Sequence, residues 1–546
     1  MTNTWIDGET SPLLSGTPTP TLRDSDEDSY YGARDPRASL SWLIPVAVLA
    51  TLSNTLTAFS RQMFFRQFVC EEIAIPDPSL LRISGDMLLQ SSSKLGCTDP
   101  PYLYGILSLN TVSMVVTCIA CSLTTGWWSR QGDMYGRRYP LMVSVLGSTL
   151  LNLVFALVAD SPVFEGFAKP CAFLGLLLEG LLGGTATFRA AVHAYTADAS
   201  PAGSWSTSFS VIQGLFILCT ILGNWIGTGM GFFAPFLPFG VSVALGVINL
   251  GFILFFLPES LPQDFTFDRP SKLSFEDVKK TIYSTISIFA ASYQMAFLGL
   301  ALFLYSLTSS ADSSRLLFVS RRDLHSPTSF SPGFFIALSS LVRMGAFFVV
   351  VPAILYFLKK RSPLSLAIST KHYFLSVINI DASAARYSVL ADFMFQLFVL
   401  GVPTSPSAIF FSLALVAPLT VGTRPALYSL IAVSSEVRGG VPRRGAAFGA
   451  ISVIVLVGEM LSHILYVSTI KVWGSFPKVG FALTAGLLGA VALFLWPAER
   501  LSHDTPDHER IRIVVSDDAR SPGHDPATIS PVYRRHGVTG GSGDTR

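Results

Sequence analysis

From residue 39 to residue 497 the chain is a succession of apolar stretches, most about twenty residues long and nearly free of charge. A helix rises about 1.5 Å per residue, so about 20 apolar residues match a bilayer core roughly 30 Å thick. In lipid, every backbone amide must find its partner inside its own helix or within a closed barrel. Stretches this long and this rich in Leu, Phe, Gly and Ala argue for helices. Composition agrees: half of the 546 residues are hydrophobic and 14% are charged, against about a quarter charged in soluble domains. The expected fold class is all-α and polytopic.

The runs fall at about 39–60, 103–128, 139–160, 171–196, 207–229 and 233–257, then at 282–308, 332–358, 386–403, 405–432, 443–468 and 476–497. They form two sets of six, a first bundle over 39–257 and a second over 282–497, joined by a polar connector at 258–281. The ends, 1–38 and 498–546, are rich in Ser, Thr, Pro, Asp and Gly and read as disordered tails. Lys and Arg accumulate in cytoplasmic loops. With both ends inside, inner loops hold 15 of them and outer loops 10, and the tails add ten more inside. No basic stretch followed by an apolar run precedes residue 39, so the first span is expected to act as its own insertion signal. The net charge of +2 gives no sign of a nucleic-acid partner.

Cys70 and Cys97 fall in the first outer loop, where a disulfide and two free thiols are both open readings. Cys118 and Cys121 form a C-x-x-C inside an apolar run and read as small packing residues. Neither a zinc-like spacing, a P-loop nor a G-x-S-x-G appears, so metal, nucleotide and hydrolase chemistry have no support and no cofactor is expected.

Between the second and third runs lies GWWSRQGDMYGRRYPLMV, residues 126–143. Asp133 reads as the start of the third helix, where the dipole favours a carboxylate. Gly136 admits a close neighbour, and Arg137 and Arg138 hold the membrane face and can reach the other half. The simpler reading is a positively charged turn with a helix cap. Ionisable residues inside spans are costly and are default functional candidates. Glu179, Arg343 and Glu459 lie furthest from the run ends, and with Arg424 they are candidates for proton exchange or for lining a solute cavity. For each carboxylate, an ion pair with a neighbouring arginine is the rival reading. Arg189 and Asp392 sit nearer the inner face and read as gate residues, whereas His193 reads as structural. Glu179 directly precedes Gly180-x-x-x-Gly184, a spacing that lets helices pack closely in lipid. In the first tail, Glu9 is followed by Leu13 and Leu14 in the pattern of an acidic dileucine sorting signal, which favours a vacuolar or endosomal membrane over the plasma membrane.

The 126–143 stretch resembles the loop signature of the major facilitator superfamily, matched by Asp133, Gly136, Arg137 and Arg138, with Ser129 and Met134 departing from it. Residues 176–209 resemble helix 4 of the branch that contains proton-coupled folate and haem carriers and tetracycline-efflux-like proteins, fungal members above all. Gly180, Gly183, Gly184, His193, Ala194, Tyr195 and Asp198 match there, and an arginine usual near Ser204-Trp205 is missing. Gly214, Gly223, Gly227 and Gly231 fit the spacing of the family's antiporter signature, with Thr228 and Phe232 departing; small-residue packing explains them equally well. The resemblance implies twelve transmembrane helices in two six-helix bundles around a central cavity. It implies a monomeric, non-enzymatic carrier in the lipid bilayer that moves a small-molecule solute by alternating access, with protons as the coupled partner. A multidrug-type proton antiporter and a non-transporting receptor or scaffold on the same fold are the alternatives.

Overall fold

The computed structural model describes residues 39–73, 100–160, 167–200, 202–261, 288–290, 292–309, 332–361, 370–401, 422–439, 444–473 and 479–503. Regular structure among them is entirely helical. The earlier helices are α1 (Leu40–Leu56), α2 (Ala58–Ile73), α3 (Pro100–Tyr135), α4 (Arg138–Asp160), α5 (Ala168–Leu181), α6 (Gly184–Ala199), α7 (Trp205–Phe233) and α8 (Leu237–Phe255). The later ones are α9 (Tyr293–Ser306), α10 (Pro332–Gly345), α11 (Val351–Arg361), α12 (Thr370–Gly401), α13 (Thr423–Gly439), α14 (Arg444–Trp473) and α15 (Val479–His503). A π-helical turn, Ala346–Val350, joins α10 to α11.

Among the described residues, nine helical stretches are long and apolar enough to cross a membrane, and Tyr293–Ser306 is a shorter apolar helix. These nine match nine of the twelve expected runs, and the run at 405–432 lies partly outside the described residues. Trp225, Phe232, Phe233, Phe255 and Val349 point outward, while Ser53, Asn152, Ser242 and Asn249 are buried. The buried set is hydrogen-bonded: Asn152 Nδ2 donates to Ser242 Oγ at 2.8 Å, Ser242 Oγ lies 2.8 Å from Ser53 Oγ, and Asn249 Nδ2 donates to the Val46 carbonyl at 3.2 Å. Apolar outside and polar within is what a lipid solvent demands. The protein is a multi-pass integral membrane protein.

Within the earlier helices, α4 packs on α8 and α5, and α1 packs on α7 and α8. The later helices meet the earlier ones along two seams: α14 lies against α3 and α6, and α7 lies against α10 and α13.

Three expectations are corrected. The fourth span is not one helix. It breaks at Gly183 and Gly184, whose φ values of 87° and 48° are left-handed, and only glycine adopts these at little cost. The break is satisfied from α3, where Thr124 Oγ1 donates to the Gly180 carbonyl at 2.8 Å and Trp128 Nε1 donates to that of Leu181 at 3.0 Å. The ninth run starts not at 386 but at Thr370, because Asp381, Arg386 and the polar residues around them mask a buried helix. Asp133 does not begin the third helix; it lies in the last turn of α3, which continues through the polar stretch to Tyr135.

Candidate functional site

Gly136 forms the turn between α3 and α4 at φ 104°, and a Cβ there would strike the Glu259 carboxylate. That carboxylate accepts from the backbone N–H of Arg137 at 2.7 Å and of Arg138 at 3.3 Å. Arg138 then turns back within the earlier helices, donating to the Ile253 carbonyl at 2.9 Å and to that of Leu254 at the end of α8. Cations belong at helix C-termini, so Arg138 holds α8 rather than reaching a later helix.

Arg137 goes inward. Its side chain is 1% exposed and bridges two carboxylates, Asp133 at 2.6 Å and Asp198 at 2.7 Å. Burial alone would lower its pKa, but Asp198 and Asp133 hold it above the ordinary arginine value, so Arg137 keeps its charge. Asp133 also crosses the seam: its Oδ1 accepts from the Gly445 N–H at 2.8 Å and its Oδ2 from the Ala446 N–H at 2.9 Å. The dipole argument therefore applies to the N-terminus of α14, not to the helix that carries Asp133. The approach needs small residues, because a Cβ on Gly445 or Gly449 would collide with Ser129. Arg444 completes the lock. It pairs with Asp198 at 2.9 Å and lies 5.2 Å over the Trp205 ring, so the later helices supply the cation that the sequence lacks next to Trp205.

One turn further along α6, His193 packs against Phe209, Tyr428 and Phe448 at centroid distances of 5.2, 5.0 and 6.0 Å. This aromatic layer spans α6, α7, α13 and α14. Beyond it lies a second charge cluster. Glu459 on α14 pairs with Arg424 on α13 at 3.0 Å and with Arg189 on α6 at 3.3 Å. Tyr305 on α9 interacts electrostatically with Asp392, Arg424 and Arg343, which draws α12 and α10 into the same group. Arg189, read from sequence as a gate residue, thus stands with the cavity candidates Arg424 and Glu459, while Asp392 and Arg343 share an electrostatic neighbour, Tyr305, with Arg424.

Glu179 occupies the last turn of α5, directly before the glycine break, and is 5% exposed. Ser148 Oγ donates to its Oε1 at 3.3 Å, and Arg61 is its electrostatic partner. Ser148 also lines a small cavity with Ser53, Asn54, Ser144 and Thr149. Cys118 and Cys121 are buried and unbonded, and Cys121 sits where a Cβ on Gly184 would fall.

Sequence reading missed Asp381. It is 2% exposed, and Ser206 Oγ donates to its Oδ1 at 2.5 Å across the seam between α7 and α12. The late start assigned to the ninth run had placed it in a loop. Arg61 and Glu259 were missed because each lies just beyond the end of an apolar run, and Arg444 because it lies in the first turn of one; charge at the end of a run was the available signal. Glu9, Leu13, Leu14 and Cys97 lie outside the described residues, as does the side chain of Cys70. Among the described residues no group of His, Cys, Asp or Glu is placed to hold a metal.

The helices, the polar interior and the two seams define a membrane protein of the major facilitator fold. The human organic anion transporter MFSD10 (TETRAN) superposes with a TM-score of 0.60 at 17% identity, over 84% of this chain and 99% of that one. The major facilitator superfamily transporter FucP in its outward conformation gives 0.52 at 12% identity, over 85% and 99%. No protein-family model matches the chain. It is 26% identical over 271 residues to the MFS-type transporter avaJ of Aspergillus versicolor, covering 48% of this chain and 47% of that one. It is 30% identical over 134 residues to the class B tetracycline resistance protein of Escherichia coli, covering 24% and 31%. It is 30% identical over 174 residues to the probable peptidoglycan muropeptide transporter SLC46 of Drosophila melanogaster, covering 31% and 33%. The chain spans less than half the length of these curated relatives. They belong to different branches, and none bears the name of an enzyme.

Proposed function

We propose that this chain is a secondary active transporter that moves a small organic solute by alternating access and is coupled to protons. Twelve spans form two six-helix bundles with both termini cytoplasmic, so the α3–α4 turn faces the cytosol. The observation that carries this reading is the lock at the turn end, where Asp133 caps α14 and Arg137 is buried between Asp133 and Asp198. It joins earlier to later helices through a few ionic contacts that water can replace when the halves part. The names of the relatives, an MFS-type transporter, a probable peptidoglycan muropeptide transporter and a tetracycline resistance protein, support a carrier of small organic solutes. The glycines of α7 lend antiport no support of their own, since Gly223 and Gly227 face Thr55 and Leu56 of α1 and serve packing.

Proteoliposomes holding the full chain, a proton gradient and a cell metabolite extract test the reading by mass spectrometry of the lumen. Gradient-dependent accumulation of at least one solute is expected. Its absence points to the receptor or scaffold alternative. Glu179→Gln keeps the shape and removes the titrating group, so it should abolish gradient-driven accumulation and leave solute exchange intact. Normal pH-dependent accumulation by the variant removes Glu179 from the coupling mechanism and passes the role to Glu459. Asp133→Asn loses the ion pair and part of a cap worth about 1 kcal/mol. It should slow turnover and leave apparent solute affinity nearly unchanged; an unaltered turnover number in the same liposomes counts against a role for the lock.

A further inference from the structure

α7 turns a face of small residues to the later helices, with Ser206, Ser210 and Gly214 one turn apart. Ser210 Oγ donates to the Phe347 carbonyl in the π-helical turn at 2.7 Å, and a Cβ on Gly214 would press on Phe347 and Phe348. Neither contact involves a titrating group. The Ser206 contact does, because its partner is Asp381 on α12. Ser206 follows Trp205, whose ring Arg444 covers, so this contact lies beside the lock at the turn end.

Four helices meet at Asp381. Ser206 comes from α7, Lys359 from α11 as its electrostatic partner, and Ser429 from α13 within reach of a hydrogen bond. The turn before α7, Ala202–Ser204, also packs on α12 and carries no charge. Arg424 of α13 is drawn to Glu459 instead, and Arg386 of α12 lies over the Trp496 ring. The Asp381 carboxyl is engaged on one side alone. Its Oδ1 accepts from Ser206, but Oδ2 makes no hydrogen bond among the described residues, and neither does the Ser429 hydroxyl. Two such orphans buried side by side are costly. An ionised carboxylate has no hydrogen to offer, whereas a protonated one carries an O–H donor. A proton on Oδ2 turned to Ser429 Oγ satisfies both atoms and removes a buried charge at once. A Ser429 O–H turned the other way pairs them too, but leaves the charge buried.

We propose that Asp381 is a proton-operated latch on this seam: protonated, it holds the inner side closed, and its proton leaves to the cytosol as the seam opens. This rests on the transport reading above and gives the inner gate a protonation site of its own, apart from Glu179. The step is an acid dissociation, in which Oδ2 loses H+ to water and the hydrated carboxylate stays with Lys359 on the later helices. Acid therefore favours the closed seam, and alkali the open one.

Spin labels on Tyr135 and Lys360 of the full-length protein in lipid nanodiscs read the state of the seam by their separation. Both residues are exposed near it, one on an earlier helix and one on a later, and non-natural residues carry the labels so that the native cysteines stay in place. The ratio of long to short distances should rise between about pH 5 and about pH 8, by up to about tenfold per pH unit, the limit for one proton lost on opening. Asp381→Asn accepts from Ser206 and donates to Ser429 without titrating, so it should stay closed throughout. Ser429→Ala removes the acceptor of the proton, so its midpoint should move to lower pH. A wild-type distance that ignores pH overturns the proposal, as does an Asp381→Asn variant that responds like wild type or stays open at every pH. An unmoved midpoint in Ser429→Ala overturns it independently. Gradient-driven accumulation in liposomes with a seam that ignores pH refutes the latch and leaves transport standing. A pH-operated seam lost in Asp381→Asn, with no solute accumulated, refutes transport and leaves the latch standing.

Discussion

Arg137→Gln should lower the melting temperature of the full-length protein more than any other single change at the turn end. Arg137 is the cation between two carboxylates that are each 6% exposed. Removing one member of such a group leaves buried charge unpaired, at a cost of about 3–5 kcal/mol. Asp198 keeps Arg444, and Asp133 keeps the two amides of α14. The larger penalty therefore falls on Asp133, which loses its only ion pair among the described residues. The double variant Arg137→Gln with Asp133→Asn should recover part of the loss, and the non-additivity measures their coupling. Equal, additive losses would show that the two side chains act independently.

Gly227→Val should reduce the folded yield sharply, whereas Gly229→Val, two residues along the same helix, should be nearly silent. A Cβ on Gly227 would fall on the backbone of Leu56, and one on Gly229 meets nothing within 4 Å. Backbone cannot move aside as a flexible side chain can, so α7 must separate from α1, and overpacking of this kind costs about 1–3 kcal/mol or more. Size-exclusion profiles of fluorescently tagged variants in detergent decide it. Equal yields of the two variants would remove the close α1–α7 approach as a folding requirement.

The spans were legible because burial in lipid imposes length and apolarity on the chain itself. What failed is instructive residue by residue. Asp133 was assigned to a helix start because Ser129, Arg130 and Gln131 look like a loop, yet α3 carries that polar stretch through to Tyr135. Asp381 was overlooked because a helix that packs among other helices tolerates polar residues that hydropathy counts against a span. The Gly180–Gly184 spacing was read as a smooth packing stripe. Gly180 does meet α3, at Ala120 and Thr117, but Gly184 belongs to a left-handed break, and spacing alone does not distinguish these uses. The pairs Asp133–Gly445 and Arg189–Glu459 join residues hundreds of positions apart. They depend on which faces of separate helices meet, and a single sequence does not encode that in any periodicity.

The glycine break in the fourth span has a mechanical consequence. α5, with Glu179 at its end, rests on α3 and α4, whereas α6, with Arg189 and Asp198, also leans on α14. A continuous rod would have to carry both carboxylates and the arginine together. Two rods meeting at a pair of left-handed glycines can pivot, with Thr124 and Trp128 of α3 holding the end of α5 in place. Arg189 and Asp198 both lie on α6, on the same side of that break, so a tilt of α6 would move the Asp198–Arg444 contact and the Arg189–Glu459 contact together.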